Sequence, residues 1–141
     1  MAMNSLEKLF ARFFADWLPG LPPGVKEWAA RLFPWVLIIL GGLGLLASLG
    51  AAGPAAAQNA GLGRLLPAAA VFFAVLVPSQ QLLTFVAGCY MVRRRRIGWR
   101  LAFTALLLGL VVHLCWLSPA GLSGDIVCAY LLFQLKPYYR L

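Results

Sequence analysis

The sequence predicts an all-α integral membrane protein, a four-helix bundle preceded by N-terminal amphipathic helices at the membrane interface. Of its 141 residues, 62% are hydrophobic and only 11% are charged, whereas about a quarter of the residues in a typical soluble domain are charged. The apolar residues form four long runs, and most of the basic residues flank those runs. Because a small soluble domain cannot bury so much apolar surface, lipid is the expected solvent.

Residues 1–33 are predicted to form a segment that stays at the cytoplasmic interface without crossing the bilayer. Asn4 and Glu7 have the spacing of a capping box, and an aromatic-rich stripe follows on one face of the helix, with charged residues opposite. Prolines and glycines at 19–24 break this helix, and Pro23 is well placed to start a second amphipathic helix. The alternative is a soluble cap that packs on the bundle.

Residues 34–141 are predicted to form the transmembrane domain, because each of four apolar runs approaches the length needed to cross the hydrocarbon core. The second run is longer than a crossing requires, and Pro78 near its centre predicts a kink. The fourth is the shortest and contains Asp125, so it can cross only if the preceding loop residues are helical or the bilayer thins. The four spans are predicted at about 35–52, 65–92, 99–117 and 120–136.

The distribution of basic residues predicts the topology. With four crossings, all of the twelve Lys and Arg residues except Arg64 fall on one side of the membrane. The positive-inside rule then places both termini in the cytoplasm. We expect the membrane to be the inner membrane of a bacterium. The same side carries a basic cluster that we expect to contact anionic lipid headgroups. The cluster comprises Arg93, Arg94, Arg95, Arg96 and Arg100.

Four polar residues follow Pro78 near the middle of the second span: Ser79, Gln80, Gln81 and Thr84. Many transporters build a midplane binding site from a broken helix with freed carbonyls and nearby amides. The simpler interpretation is that the glutamine side chains form hydrogen bonds with neighbouring helices and that the proline only bends the helix.

His113 and Asp125 are the only candidates for a charged pair within the apolar region, since a short turn between the third and fourth spans brings them to similar depth. The alternative is that each faces water or headgroups. His113, with Gly109 one turn before it and Trp116 nearby, also resembles the pigment-binding histidine of photosynthetic antenna helices. That resemblance implies a haem or chlorophyll ligand, although antenna chains usually cross once.

Enzymatic chemistry is not expected from this sequence. We find no pair of intramembrane carboxylates, no Ser/His/Asp set and no metal-ligand spacing, and we predict no catalytic residue, bound metal or cofactor. Cys89, Cys115 and Cys128 are far apart in the sequence and resemble small apolar residues. Nucleic-acid binding is not expected either, because the basic residues are not interleaved with aromatic ones.

The chain as a whole resembles a group of small, uncharacterised four-helix bacterial membrane proteins. The resemblance is carried by Pro34 and Trp35 before the first span, by the Arg96–Trp99 step into the third span, and by the tail at 132–140. It implies a four-crossing topology and brings no activity with it.

Three functions are compatible with these observations. The leading hypothesis is a non-enzymatic accessory or scaffold subunit of a larger membrane complex, since packing and anchoring features outnumber reactive groups. Its partners would be lipid and either other membrane chains or further copies of itself. The alternatives are a small oligomeric transporter or channel with a polar site around the Pro78 kink, and a pigment- or haem-binding subunit that uses His113.

Overall fold

The computed structural model describes residues 8–10, 12, 19–50 and 67–139, with side chains from Phe73 onward in the last range. Within these ranges the chain is helical and contains no strand. Its long helices are α1 (Pro23–Leu49), α2 (Pro67–Val92), α3 (Arg96–Cys115) and α4 (Pro119–Leu135), and a 3₁₀ turn (Lys136–Tyr138) follows. Three helical stretches are long and apolar enough to cross a membrane: α1, Phe73–Val92 of α2, and α3. The predicted all-helical, membrane-type chain is therefore confirmed.

Consecutive helices pack side by side in opposite directions. α1 lies along α2, α2 along α3 and α3 along α4, while α1 and α4 contact each other more sparsely. The most tightly packed part of the core lies where α2 ends and α3 begins, with Ala87, Met91, Phe103 and Leu135 almost fully buried. The looser contact between α1 and α4 leaves space in the middle of the bundle.

Glycines bring α1 and α2 close together. A Cβ atom on Gly41 would lie 2.5 Å from the backbone nitrogen of Phe85, and one on Gly88 would lie 2.8 Å from the carbonyl oxygen of Pro34. Such close backbone approach is typical of helix pairs in lipid, where packing rather than hydrophobic burial holds helices together. These two glycines determine which faces of α1 and α2 meet.

From Trp35 onward, the outward face of α1 is apolar. Ile39, Leu43 and Leu46 are 58%, 61% and 70% exposed. A water-soluble protein rarely exposes a continuous apolar face of this kind. Lipid contact explains it, in agreement with the predicted membrane environment.

The first spanning helix starts earlier than the sequence predicted. We expected a second interfacial helix up to residue 33 and a separate span from Trp35, whereas α1 runs without a break from Pro23 to Leu49. Pro34 lies inside α1 and has no N–H to donate to the Ala30 carbonyl. The Tyr139 hydroxyl supplies that donor, so the predicted boundary between residues 33 and 34 falls within a continuous helix.

The N-terminal segment is only partly described. The predicted capping box at Asn4 and Glu7 lies outside the described residues, as does the connection between the first two predicted spans. The Phe10 ring packs 5.8 Å from the ring of Phe103 and 6.2 Å from that of Phe133. At least this part of the segment therefore packs on the helix bundle.

A tight turn joins α2 to α3 and extends α3 beyond its predicted start at residue 99. Arg94 has a positive φ of 52°, Arg95 precedes the helix in an extended conformation, and the helix begins at Arg96. Gly98 makes this possible, because a Cβ atom there would lie 2.6 Å from the backbone nitrogen of Met91.

α4 begins immediately after a second tight turn, in which Leu117 has a positive φ of 51°. The Ser118 side chain accepts a hydrogen bond from the Gly121 N–H at 3.2 Å, and Pro119 occupies the first turn. Both features favour a helix start. The residues from Pro119 to Gly121, just before Leu122, are helical. The fourth apolar run was expected to need this extra helical length in order to cross the membrane.

Candidate functional site

A cavity of about 290 Å³ lies between the four helices. Each helix contributes three residues to its wall. The lining residues are Phe33, Leu37 and Leu40 from α1, Gln80, Gln81 and Thr84 from α2, Ala102, Ala105 and Leu106 from α3, and Asp125, Cys128 and Leu132 from α4. Its volume is at the lower end of the range for small-molecule sites, which begins at roughly 300 Å³.

The polar wall of the cavity comes mainly from α2. Gln80, Gln81 and Thr84 face the cavity. Thr84 lies three positions after Gln81 and four after Gln80, spacings that put residues on the same side of a helix. Ser79 does not line it; its exposed hydroxyl donates to the Val75 carbonyl at 2.7 Å. Three of the four polar residues singled out in the sequence therefore belong to one site.

The two glutamine amides lie against glycines of other helices. A Cβ atom on Gly44 would lie 2.5 Å from Cδ of Gln81, and one on Gly109 would lie 3.0 Å from Nε2 of Gln80. Among the described residues, we find no hydrogen bond between either amide and another helix, contrary to the sequence expectation. The amides therefore keep their hydrogen-bonding capacity beside the cavity.

Asp125 and His113 are brought together at one edge of the same cavity. His113 Nδ1 lies 2.7 Å from Asp125 Oδ2, and the side chains are 29% and 14% exposed. The short α3–α4 turn places both residues at similar depth, as the sequence argument required. Among the described residues, Asp125 is the only charged one in the cavity wall.

The glycine that accommodates the His113 ring is not the one that the sequence indicated. We expected Gly109 to leave room for the ring, but a Cβ atom on Gly121 of α4 would overlap it. Gly109 instead faces Asp125, whose Oδ1 would lie 3.3 Å from a Cβ atom there. Sequence spacing finds small residues within one helix, whereas the needed space is provided by the facing helix.

In the sequence, the α2 polar residues and the His113–Asp125 pair are separate candidates. In the structure, three of the α2 residues and Asp125 line one cavity, and His113 contacts Asp125 at its edge. The structure also adds Cys128 and Leu132 to the site. The sequence spacing could have predicted this addition. Asp125, Cys128 and Leu132 are three and four residues apart, so they share one face of a helix.

The basic cluster forms a separate surface. Arg93, Arg94, Arg95, Arg96 and Arg100 are all exposed, and none of them lines the cavity. They surround the α2–α3 turn, at the end of the bundle where α4 also ends. Lys136 lies nearby, with its Nζ 5.0 Å from the centre of the Trp99 ring. The cluster is well placed for anionic headgroups and distant from the polar cavity.

The described part of the chain contains no group of three or more His, Cys, Asp or Glu side chains that could hold a metal ion. A haem or chlorophyll ligand would need one imidazole nitrogen directed into open space. In this structure Nδ1 of His113 is paired with Asp125, and the ring lies against the α4 backbone at Gly121. Because histidines that bind a metal through Nε2 commonly donate Nδ1–H to a carboxylate, the pigment-binding alternative stays a prediction.

This arrangement can bind a polar or charged molecule in an otherwise apolar bundle. It offers one carboxylate, two amides and one hydroxyl, together with apolar walls from α1 and α3. Comparison of the chain with protein-family models, with curated proteins and with solved structures finds no match. The function of this chain must therefore be inferred from the residues of the cavity.

Proposed function

We propose that this chain is a non-enzymatic, multi-pass membrane protein that binds a small polar solute inside its helix bundle and passes it through the membrane. One observation carries this proposal: all four helices line one cavity that contains a carboxylate and two amides without inter-helix partners. Polar groups within membrane helices are costly, and they commonly mark the pathway of a substrate or ion.

The proposal includes four crossings. α4 has 17 residues and rises about 25 Å along its axis, and it packs antiparallel on α3, which is long and apolar enough to span. A helix that shares the α3 interface over this length crosses most of the hydrocarbon core with it. Asp125 is then tolerated because it faces His113 and the cavity instead of lipid.

The proposed orientation follows from the basic residues. The start of α1, the α2–α3 turn and the end of α4 lie at one end of the bundle, and they carry Lys26, Arg31, the basic cluster and Lys136. The positive-inside rule places that end in the cytoplasm. The exposed basic cluster then lies beside anionic headgroups.

Water accessibility of Cys128 tests the function. A protein reconstituted in vesicles with Cys89→Ser and Cys115→Ser retains Cys128 as its single thiol. We expect 2-hydroxyethyl methanethiosulfonate to modify it faster than a lipid-facing thiol, because thiolates form and react only where water reaches them. Filling the cavity with Ala105→Phe should slow the reaction.

The neighbouring position provides the matched control. Val127 is 58% exposed on the outside of α4, so a single thiol placed there by Val127→Cys, in a chain that also carries Cys128→Ser, should face lipid and react slowly. If Cys128 reacts no faster than this control, the cavity is closed to solutes. The accessory or scaffold role would then be the better explanation of the packed, unreactive bundle.

A further inference from the structure

We propose that the solute is a small organic cation that binds Asp125 in competition with the proton of His113. This inference depends on the proposed function, because the cation must reach the cavity. It names both the class of ligand and the way in which binding is coupled to protons.

The charge of the cavity indicates a cation. In the part of the chain that the structure describes, Asp125 is the only charged group in the wall, and the α1, α2 and α3 residues that line the cavity are uncharged. A carboxylate in such surroundings is stable only with a positive partner. An ammonium group can provide it, and the apolar walls can pack against the organic part of the same ligand.

The geometry of Asp125 leaves one oxygen for the ligand. Oδ2 is occupied by His113 Nδ1 at 2.7 Å. Oδ1 lies beside Gly109, and the Gln80 amide lies beside the same glycine. Because an amide presents both a donor and an acceptor, Gln80 can orient its oxygen toward a bound cation next to Oδ1.

His113 makes the site sensitive to pH. The titratable groups that face Asp125 from the described helices are His113 on α3 and Cys128 on α4. When His113 is protonated, its charge neutralises Asp125 and disfavours a second cation. When a cation enters, the imidazolium loses one proton to water and stays paired as a neutral ring, so the net charge of the site does not change.

Binding of benzyltrimethylammonium to the full-length protein in detergent tests this inference. The charge of this probe does not depend on pH, so any pH effect on affinity belongs to the protein. We expect the affinity measured by calorimetry to fall about tenfold or more from pH 8 to pH 5, because a protonated His113 competes with the cation for Asp125. At pH 6, binding should release a proton, detected as a dependence of the heat on buffer ionisation.

Variants separate the roles of the two residues. His113→Gln keeps a hydrogen-bond donor without a titrating charge, so its affinity should be the same at both pH values and its proton release should vanish. Asp125→Asn should abolish binding of the cation. Gly124→Ala is the matched control on α4, since a Cβ atom there meets nothing within 4 Å, and it should bind as the unmodified protein does.

Neopentylbenzene, the uncharged isostere of the probe, distinguishes the possible failures. If it binds as tightly as the cation, the cavity admits solutes but does not select for charge, and the inference is overturned while the proposed function stands. Cation binding of equal affinity at pH 5 and pH 8 overturns the competition with His113. If neither compound binds, the inference fails, and labelling of Cys128 then shows whether the proposed function fails with it.

Discussion

The hydroxyl of Tyr139 donates a hydrogen bond to the carbonyl oxygen of Ala30 at 3.0 Å, across 109 residues of sequence. That carbonyl has no helical donor, because the residue four positions later is Pro34. The bond therefore compensates for the proline inside α1 and attaches the C-terminal tail to the first helix. Tyr139 is only 3% exposed, so water cannot readily replace it as the donor.

Tyr139→Phe is expected to lower the free energy of unfolding by about 1–2 kcal/mol, because it leaves a buried carbonyl without a donor. Unfolding in mixed micelles, followed by circular dichroism, measures the change. Tyr138→Phe, at the preceding position, is the matched control. Pro34→Ala should reduce the cost of Tyr139→Phe, since alanine restores the helical N–H, and simple additivity of the two substitutions would contradict this account.

Tyr139 is also expected to make stability depend on pH in the alkaline range. Burial raises the pKa of its phenol to about 12, and the positive charge of Arg94 opposes part of that rise. Since the folded pKa lies above the ordinary value near 10, this contribution to stability is fully present below pH 10 and is lost as pH rises toward 12. The difference in stability between the unmodified protein and Tyr139→Phe should shrink over that interval, and a constant difference would argue against it.

Gly41→Ala should separate α1 from α2. The new methyl group would meet the backbone of Phe85 at 2.5 Å, and overpacking of this kind costs about 1–3 kcal/mol. Gly42→Ala is the control in the adjacent position, where the nearest Phe85 atom would be at an ordinary 3.6 Å. Gly42→Ala should be neutral or slightly stabilising, because alanine favours helix. Equal effects on thermal unfolding would disprove the close packing.

The four-crossing topology predicts opposite labelling at the two ends of the bundle. In a chain without its three native cysteines, thiols introduced by Asn59→Cys and Ser118→Cys should react with an impermeant maleimide from outside intact cells. A thiol introduced by Arg95→Cys should react only after the membrane is opened, because the basic end faces the cytoplasm. Labelling of position 95 from outside would exclude the proposed orientation.

The sequence was informative wherever the determining property is local. Runs without charge, their lengths and the residues that end them predicted α2, α3 and α4 to within a few residues, since helix formation in an apolar solvent depends mainly on those features. The start of α1 was missed because its continuity depends on a tertiary hydrogen bond. A proline preceded by charged residues normally indicates a helix boundary. Here the Tyr139 hydroxyl replaces the hydrogen-bond donor that the proline lacks.

The polar oxygen- and nitrogen-bearing residues of the candidate site were also visible in the sequence, because polar groups in an apolar run stand out. Their arrangement was not. Gln80 and Asp125 meet at Gly109, and the His113 ring lies against Gly121, contacts that depend on how each helix is rotated about its axis. That rotation is determined by close approaches such as Gly41 to Phe85.

By itself the sequence determined a helical membrane chain with an uneven distribution of charge. Only the tertiary structure decided that its polar residues share one cavity, because packing between helices, and not the order of residues along them, determines which faces meet.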